Sequence, residues 1–288
     1  MPWHLKVTSE KYKQFKSTEL EENINEIIQN IAYDSDNIER RELIEELKLS
    51  ENEYALYEFE REATGFISFK AVCDEPCEFL MIYDEMLING VPDPIRIHGL
   101  WVNKYKLEPG EYDLVFFEPV SMKYLNTVML KGKANISSLH MIEYKHPNID
   151  RKLNTENPDL LKIYDAAVET FRQNALDIFM DCPSRERAGW LCDSFFTSRV
   201  EYLLTGKSLI EKNFLENFLL PDTFTDLPKG ILPMCYPSDH YDGNFIPNWA
   251  MWLVLELYEY KQRTNDVQMI NAFKPKVYAL LEYFKGFL

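Results

Sequence analysis

Asp181, Cys182, Pro183, Ser184, Arg185, Glu186, Arg187, Ala188, Gly189, Trp190, Leu191, Cys192 and Asp193 bring three carboxylates, two guanidiniums and an indole into thirteen residues. A carboxylate in such a cluster can serve as a proton donor when its surroundings raise its pKa. Pro183 and Gly189 keep the stretch from being one regular helix, and Phe179, Met180 and Trp190 are suited to anchor it against a core. A polar loop on a rigid helical frame is a frequent place for catalytic groups. Between Arg185 and Arg187, Glu186 stays ionised unless it faces an apolar or acid-rich pocket. The competing reading is structural: a surface salt-bridge network at a helix start, with Asp181 as the cap.

These residues resemble the signature of family 78 glycoside hydrolases, the α-L-rhamnosidases, whose catalytic domain opens on Asp-Cys-Pro followed by Arg, Glu, Arg, Gly, Trp and Asp. The matching positions are Asp181, Cys182, Pro183, Arg185, Glu186, Arg187, Gly189, Trp190 and Asp193. The resemblance extends to Ala166, Ala167 and Phe171 to Asn174, to the run from Asp239 to Trp249, and in all from about Tyr54 to the C-terminus. It implies a β domain followed by an (α/α)6 barrel of twelve helices that removes terminal α-L-rhamnose with inversion, using no metal and no nucleotide or organic cofactor. Glu186 would be the general acid on the glycosidic oxygen. Asp181 and Asp193 would hold rhamnose hydroxyls, Arg185 would bind sugar or orient the acids, and Trp190 would form an apolar wall. Inversion needs a second carboxylate about 6.5–9.5 Å away to activate water. In the family that base is a glutamate late in the barrel, and no position here matches it. The chain is therefore expected to carry the acid half of a larger enzyme and to be inactive alone. A related barrel glycosidase of other sugar specificity, or a non-catalytic carbohydrate-binding role, is the alternative.

Asp239, His240 and Asp242, in a long Pro-rich loop from Pro221 to Asn244, are read as substrate contacts or as loop-capping and packing residues. Trp249 and Trp252, three apart on one helix, suit core packing, with Trp249 also placed to face a sugar. Glu211, Glu216 and Glu256 fall within helical patterns, where solvated or capping roles are usual. Cys73 and Cys77 lack the further ligands of a zinc site and read as core cysteines. Asn135, Ile136 and Ser137 match a glycosylation acceptor and read as an ordinary strand end.

Two kinds of element must position these groups. Residues 1–50, rich in Glu, Lys and Asn, form a lead-in with an amphipathic stretch at Leu20, Ile24, Ile27, Ile28 and Ile31. Residues 51–148 carry short apolar runs broken by turn residues, the texture of a β-sandwich of about eight strands. The expected strands are 53–60, 65–72, 77–85, 86–88 before the turn pair Asn89 and Gly90, two flanking Pro109 and Gly110, 124–130 and 138–144. After a linker around His146 to Asn157, residues 149–288 turn helical. Leu160, Leu161, Tyr164, Ala167, Val168, Phe171 and Ala175 mark one buried stripe, and helices follow at 191–204, 208–219, 247–263 and 267–287. The expected architecture is a multidomain β + α chain, a β-sandwich followed by an incomplete (α/α)6 barrel. Five helices of twelve would expose apolar faces, which predicts aggregation or pairing into a homo-oligomer.

Composition sets the partners. A formal charge of −16, with 31 basic residues against 47 acidic ones, argues against nucleic acid. An aromatic content of 14% suits large cores and sugar-stacking surfaces alike, so a rhamnose-containing glycoside or polysaccharide is the expected partner. No membrane contact is expected, since no apolar run of about 18 residues occurs. The polar start of the chain lacks a secretory core, which points to the cytoplasm, and five cysteines, an odd number, suit reduced thiols.

Overall fold

The computed structural model describes residues 40–41, 46–96, 99–147, 149–238 and 243–288. The amphipathic stretch at Leu20 to Ile31 lies outside the described residues, as do Asp239, His240 and Asp242. The chain divides into two compact units, Met1–Tyr144 and Lys145–Leu288.

In the first unit the strands are β1 (Arg40–Arg41), β2 (Glu46–Ser50), β3 (Tyr54–Cys73), β4 (Cys77–Asp84), β5 (Val102–Leu107), β6 (Gly110–Val115), β7 (Val120–Lys131) and β8 (Lys133–Glu143). β3 builds the sandwich because it serves both layers. Its first half pairs with β1 and β7, and its second half pairs with β8 and β6. Beyond β7 the first layer continues through β4 to β5, and beyond β8 the second ends on β2. The expected strands 53–60 and 65–72 are thus one strand of 20 residues. The charged residues from Glu60 to Glu62 are exposed where the pairing register shifts. Gly65 sits at the crossing: a Cβ there would lie 2.3 Å from the Ile142 carbonyl oxygen. Residues 86–88 do not form a strand; Ile88 bridges Val91 alone across Asn89 and Gly90, both at positive φ. β2 alternates exposed residues with buried Leu47 and Leu49, as one edge of a half-buried sheet requires.

The core between the layers includes Tyr57, Ile67, Phe69, Phe79, Met81, Met122, Leu125 and Ile136. Phe69 of the second layer meets Phe79 and Tyr105 of the first with ring centroids 6.2 and 5.3 Å apart. Full burial of one such ring stabilises by about 1.5–3 kcal/mol.

The second unit holds α1 (Pro158–Asn174), α2 (Leu191–Thr205), α3 (Leu209–Leu219), α4 (Pro247–Thr264) and α5 (Val267–Lys285). Asn157 caps α1, its side chain accepting from the Asp159 and Leu160 amides, with Pro158 in the first turn where its missing N–H costs nothing. Gly206, at φ 70°, ends α2 in the left-handed conformation that glycine adopts most readily. Phe179, Phe214, Phe218, Leu253, Tyr260 and Phe273 form the helical core. Ile163, Phe196, Leu203, Leu255 and Tyr258 remain exposed. No helix among the described residues is long and apolar enough to cross a membrane.

Candidate functional site

The segment from Asp181 to Trp190 links α1 to α2 as a loop closed on itself and pinned at its far end. The Asp181 amide donates to the Ala188 carbonyl and the Ala188 amide returns a bond to Asp181 Oδ1, each 3.2 Å. Residues 183–186 make the turn between them, and Arg187 follows at φ 49°. Gly189 then exchanges backbone bonds with the segment around the cis Tyr236–Pro237 peptide: its amide donates to the Pro237 carbonyl, and the Tyr236 amide donates to the Gly189 carbonyl. Only a residue without Cβ fits there, because a Cβ on Gly189 would lie 2.5 Å from the Tyr236 carbonyl oxygen. Trp190 bridges Cys235, and the Leu191 amide donates to the Met234 carbonyl. The long loop after α3 therefore holds the polar loop in place.

Inside that frame the acids meet. Asp181, Cys182 and Glu186 bring one ligand-type atom each to within 4.8 Å of one another. The Cys182 thiol donates to Glu186 Oε2 at 3.3 Å, Asp181 and Glu186 are hydrogen-bonded, and the Arg185 guanidinium pairs with Glu186 Oε1. The Glu186 side chain is 9% exposed and that of Arg185 47%, so the acid faces inward and the cation covers it from the solvent side.

Burial, and then the hydrogen bond with Glu186, pushes the Asp181 carboxyl up to about 7. Burial would raise Glu186 as well, but the hydrogen bonds from Asp181, Arg185 and Cys182 outweigh it and hold its carboxyl below the ordinary range. The two carboxyls titrate as a pair, and the raised member, Asp181, keeps its proton to near neutral pH. Burial, followed by the charge of Asp181, pushes the Cys182 thiol up to about 11, so it is a neutral donor. Asp193, in the first turn of α2, is raised by burial and by the charge of Glu186, which puts it in the same field. The cluster has the donor atoms to hold a metal ion, but those atoms are already bonded to one another and to Arg185.

Trp190 is half-buried among Ala188, Met234, Cys235 and Ile246. Trp249, at the start of α4, packs half-buried against the helical core, and Trp252 stacks on Phe195 and Phe196. The structure thus brings Asp181, Arg185 and Glu186 into one cluster, with Asp193 in the field of Glu186 and Trp190 at the end of the same loop. Glu211 and Glu256 depart from the solvated role expected of them, since both are 0% exposed. Glu211 pairs with Arg263, and Glu256 contacts Ser194. Glu216 is solvated, paired with Lys212 at 3.6 Å. Ser194, Ser198 and Glu201 were not singled out in the sequence; the available signal was polar residues at 194, 198 and 201, one helical stripe of α2.

Residues 151–286 match the family model of the bacterial alpha-L-rhamnosidase 6 hairpin glycosidase domain. A rhamnosidase from Klebsiella oxytoca with rhamnose bound superposes with a TM-score of 0.70 at 20% identity, covering 82% of this chain and 49% of that one. A GH78 family rhamnosidase of Bacillus sp. GL1 gives 0.69 at 20% identity, covering 80% of this chain and 24% of its own. The alpha-L-rhamnosidase from Dictyoglumus thermophilum gives 0.61 at 17%, covering 85% of this chain and 28% of its own. This chain spans about half or less of the length of these structures. No curated protein sequence matches it. The likeness establishes the fold, a β-sandwich followed by helices of an (α/α)6 barrel.

Proposed function

We propose that this chain, whose residues 151–286 match the rhamnosidase six-hairpin glycosidase model, belongs to a glycoside hydrolase that removes terminal α-L-rhamnose from glycosides or polysaccharides by inversion. The observation that carries the proposal is the inward-facing pair of Asp181 and Glu186, which keeps a proton to near neutral pH. The proton held on Asp181 passes across their hydrogen bond to Glu186, which delivers it to the glycosidic oxygen as the bond to the anomeric carbon breaks; both carboxyls are then ionised until the pair takes up a proton from solvent. Water adds to the opposite face of the sugar and gives its proton to a second carboxylate. Glu211 and Glu256 are buried and engaged and Glu216 is solvent-paired, so the proposal leaves that base to a carboxylate outside the described residues. Arg185 and Asp193 bind sugar hydroxyls, and Trp190 supplies an apolar wall for the ring. Asp239, His240, Asp242 and Trp249 complete the sugar contacts in the same reading.

The test is turnover of an aryl α-L-rhamnoside by the whole protein and its Glu186→Gln variant. Loss of a general acid is expected to lower kcat by about 10²–10⁴-fold. Undiminished turnover in the variant would remove Glu186 from the mechanism. A panel of other aryl glycosides settles the sugar, since the fold alone does not fix it.

A further inference from the structure

Ser194 lies one residue beyond Asp193 on α2 and is completely buried. Its amide donates to the Trp190 carbonyl, so it is tied to the turn that carries both Trp190 and Asp193. Its Oγ is 2.5 Å from the Leu191 carbonyl oxygen and also 2.5 Å from Glu256 Oε2 on α4. Oxygens approach that closely only with a hydrogen between them. Two such contacts need two hydrogens, and a serine hydroxyl has one.

The second hydrogen has one available source. A carbonyl oxygen carries none, so the Leu191 contact takes the serine hydrogen. Glu256 supplies the other. Its side chain is 0% exposed, and its Oε1 has no hydrogen-bond partner among the described residues. An ionised carboxylate with one bare oxygen in a core would carry a heavy desolvation cost, whereas a neutral acid leaves only a carbonyl there. The charged groups whose fields reach Glu256 are Glu211, Arg263 and Glu259. Arg263 is already committed to the two glutamates.

We propose that Glu256 is a protonated positioning residue, donating to Ser194 so that the Ser194 hydroxyl is directed onto the Leu191 carbonyl and the first turn of α2 is held where Trp190 and Asp193 face the sugar. The protonated Glu256 and its hydrogen bond follow from the oxygen distances alone; the positioning role rests on the function proposed above. The bond crosses from α4 to α2 and makes the placement of the first turn depend on a residue 63 positions after Asp193.

The two parts have separate tests. Infrared difference spectroscopy between this chain and Glu256→Gln at neutral pH should show the carbonyl stretch of a neutral carboxylic acid, lost in the variant. Absence of that band overturns the protonated state. In the whole protein, Gln can donate the same bond, so Glu256→Gln should keep kcat within about threefold of the parent, whereas Ser194→Ala and Glu256→Leu should lower it roughly 10- to 100-fold. Circular dichroism is used to confirm that each variant is folded. Equal kcat in folded Ser194→Ala overturns the positioning role, as does a Glu256→Gln variant as slow as Glu256→Leu. If Glu186→Gln also leaves turnover unchanged, the sugar-site reading falls and takes the positioning role with it, while the infrared band still decides the proton.

Discussion

Asp181 and Glu186 face each other beside the Cys182 thiol, and burial together with their hydrogen bond keeps one proton on Asp181 to near neutral pH. The raised member is Asp181, which the resemblance alone would assign only to holding a sugar hydroxyl. In the proposed mechanism the general acid must be protonated before it acts, and the pair would meet that condition by storing the proton one hydrogen bond away.

This arrangement sets a pH dependence. With its carboxyl at about 7 in the folded chain and about 3.9 when unfolded, Asp181 binds a proton more tightly in the native state. Its stabilising contribution is complete below the unfolded value and is lost as pH rises from about 4 towards 7. Asp181→Asn removes that titration. Thermal unfolding from pH 4 to 7 should therefore show Tm falling less steeply, or rising more, with pH in the variant than in the parent. Matching slopes would place the stored proton elsewhere.

The site was legible in the sequence where chemistry is local. Asp181, Arg185, Glu186 and Asp193 fall within thirteen residues, so a single loop could bring them together without knowledge of the rest of the chain. Glu211 and Glu256 were misread for the opposite reason. Their neutralising or bonding partners, Arg263 and Ser194, are 52 and 62 residues away, and an isolated acid in a mixed helical pattern gives no sign of a distant partner. In the β unit, the apolar texture located the strands, but the charged Glu60 to Glu62 concealed that two segments are one. Whether a polar patch ends a strand or marks its passage between layers depends on β7 and β8, which pair with it from more than fifty residues on.

Gly189 is the point where the polar loop meets the segment that holds it. Replacement by Ala would place a methyl 2.5 Å from the Tyr236 carbonyl oxygen and 2.9 Å from the Phe214 ring. Neither can yield without disturbing the helical core, in which Phe214 is fully buried. Gly189→Ala is expected to cost about 1–3 kcal/mol in denaturant unfolding, with the midpoint shifted and the slope unchanged. A neutral effect would mean that the strap from Met234 to Pro237 moves freely.

Arg263 joins three helices: its guanidinium pairs with Glu211 on α3 and Glu259 on α4, and donates to Ser198 on α2 at 3.2 Å. Arg263→Leu strands Glu211 in the core, for an expected loss of about 3–5 kcal/mol. The double variant Glu211→Leu with Arg263→Leu removes both charges and should recover most of that loss. Additive losses in the double-mutant cycle would show that the pair is not coupled.

Glu201 closes the start of α3 from the end of α2. Its Oε1 accepts from the Leu209 and Ile210 amides at 2.8 and 2.9 Å, and its Oε2 accepts from the Glu211 amide at 3.0 Å. The residue in the cap position, Ser208, makes no side-chain cap bond, so the first-turn amides of α3 depend on a carboxylate borrowed from the neighbouring helix. Burial raises the Glu201 carboxyl, while the three amides favour its charged form. Glu201→Ala leaves buried donors bare and is expected to cost about 2–3 kcal/mol. Glu201→Gln keeps one acceptor oxygen but turns an amide group towards a backbone N–H, so an intermediate loss is expected. Hydrogen exchange at Leu209, Ile210 and Glu211 provides the local check, because protection there should fall in both variants further than at Phe214 and Phe218 in the same helix. An equal fall along all of α3 would mean that Glu201 supports the fold as a whole and is not the cap of this one turn.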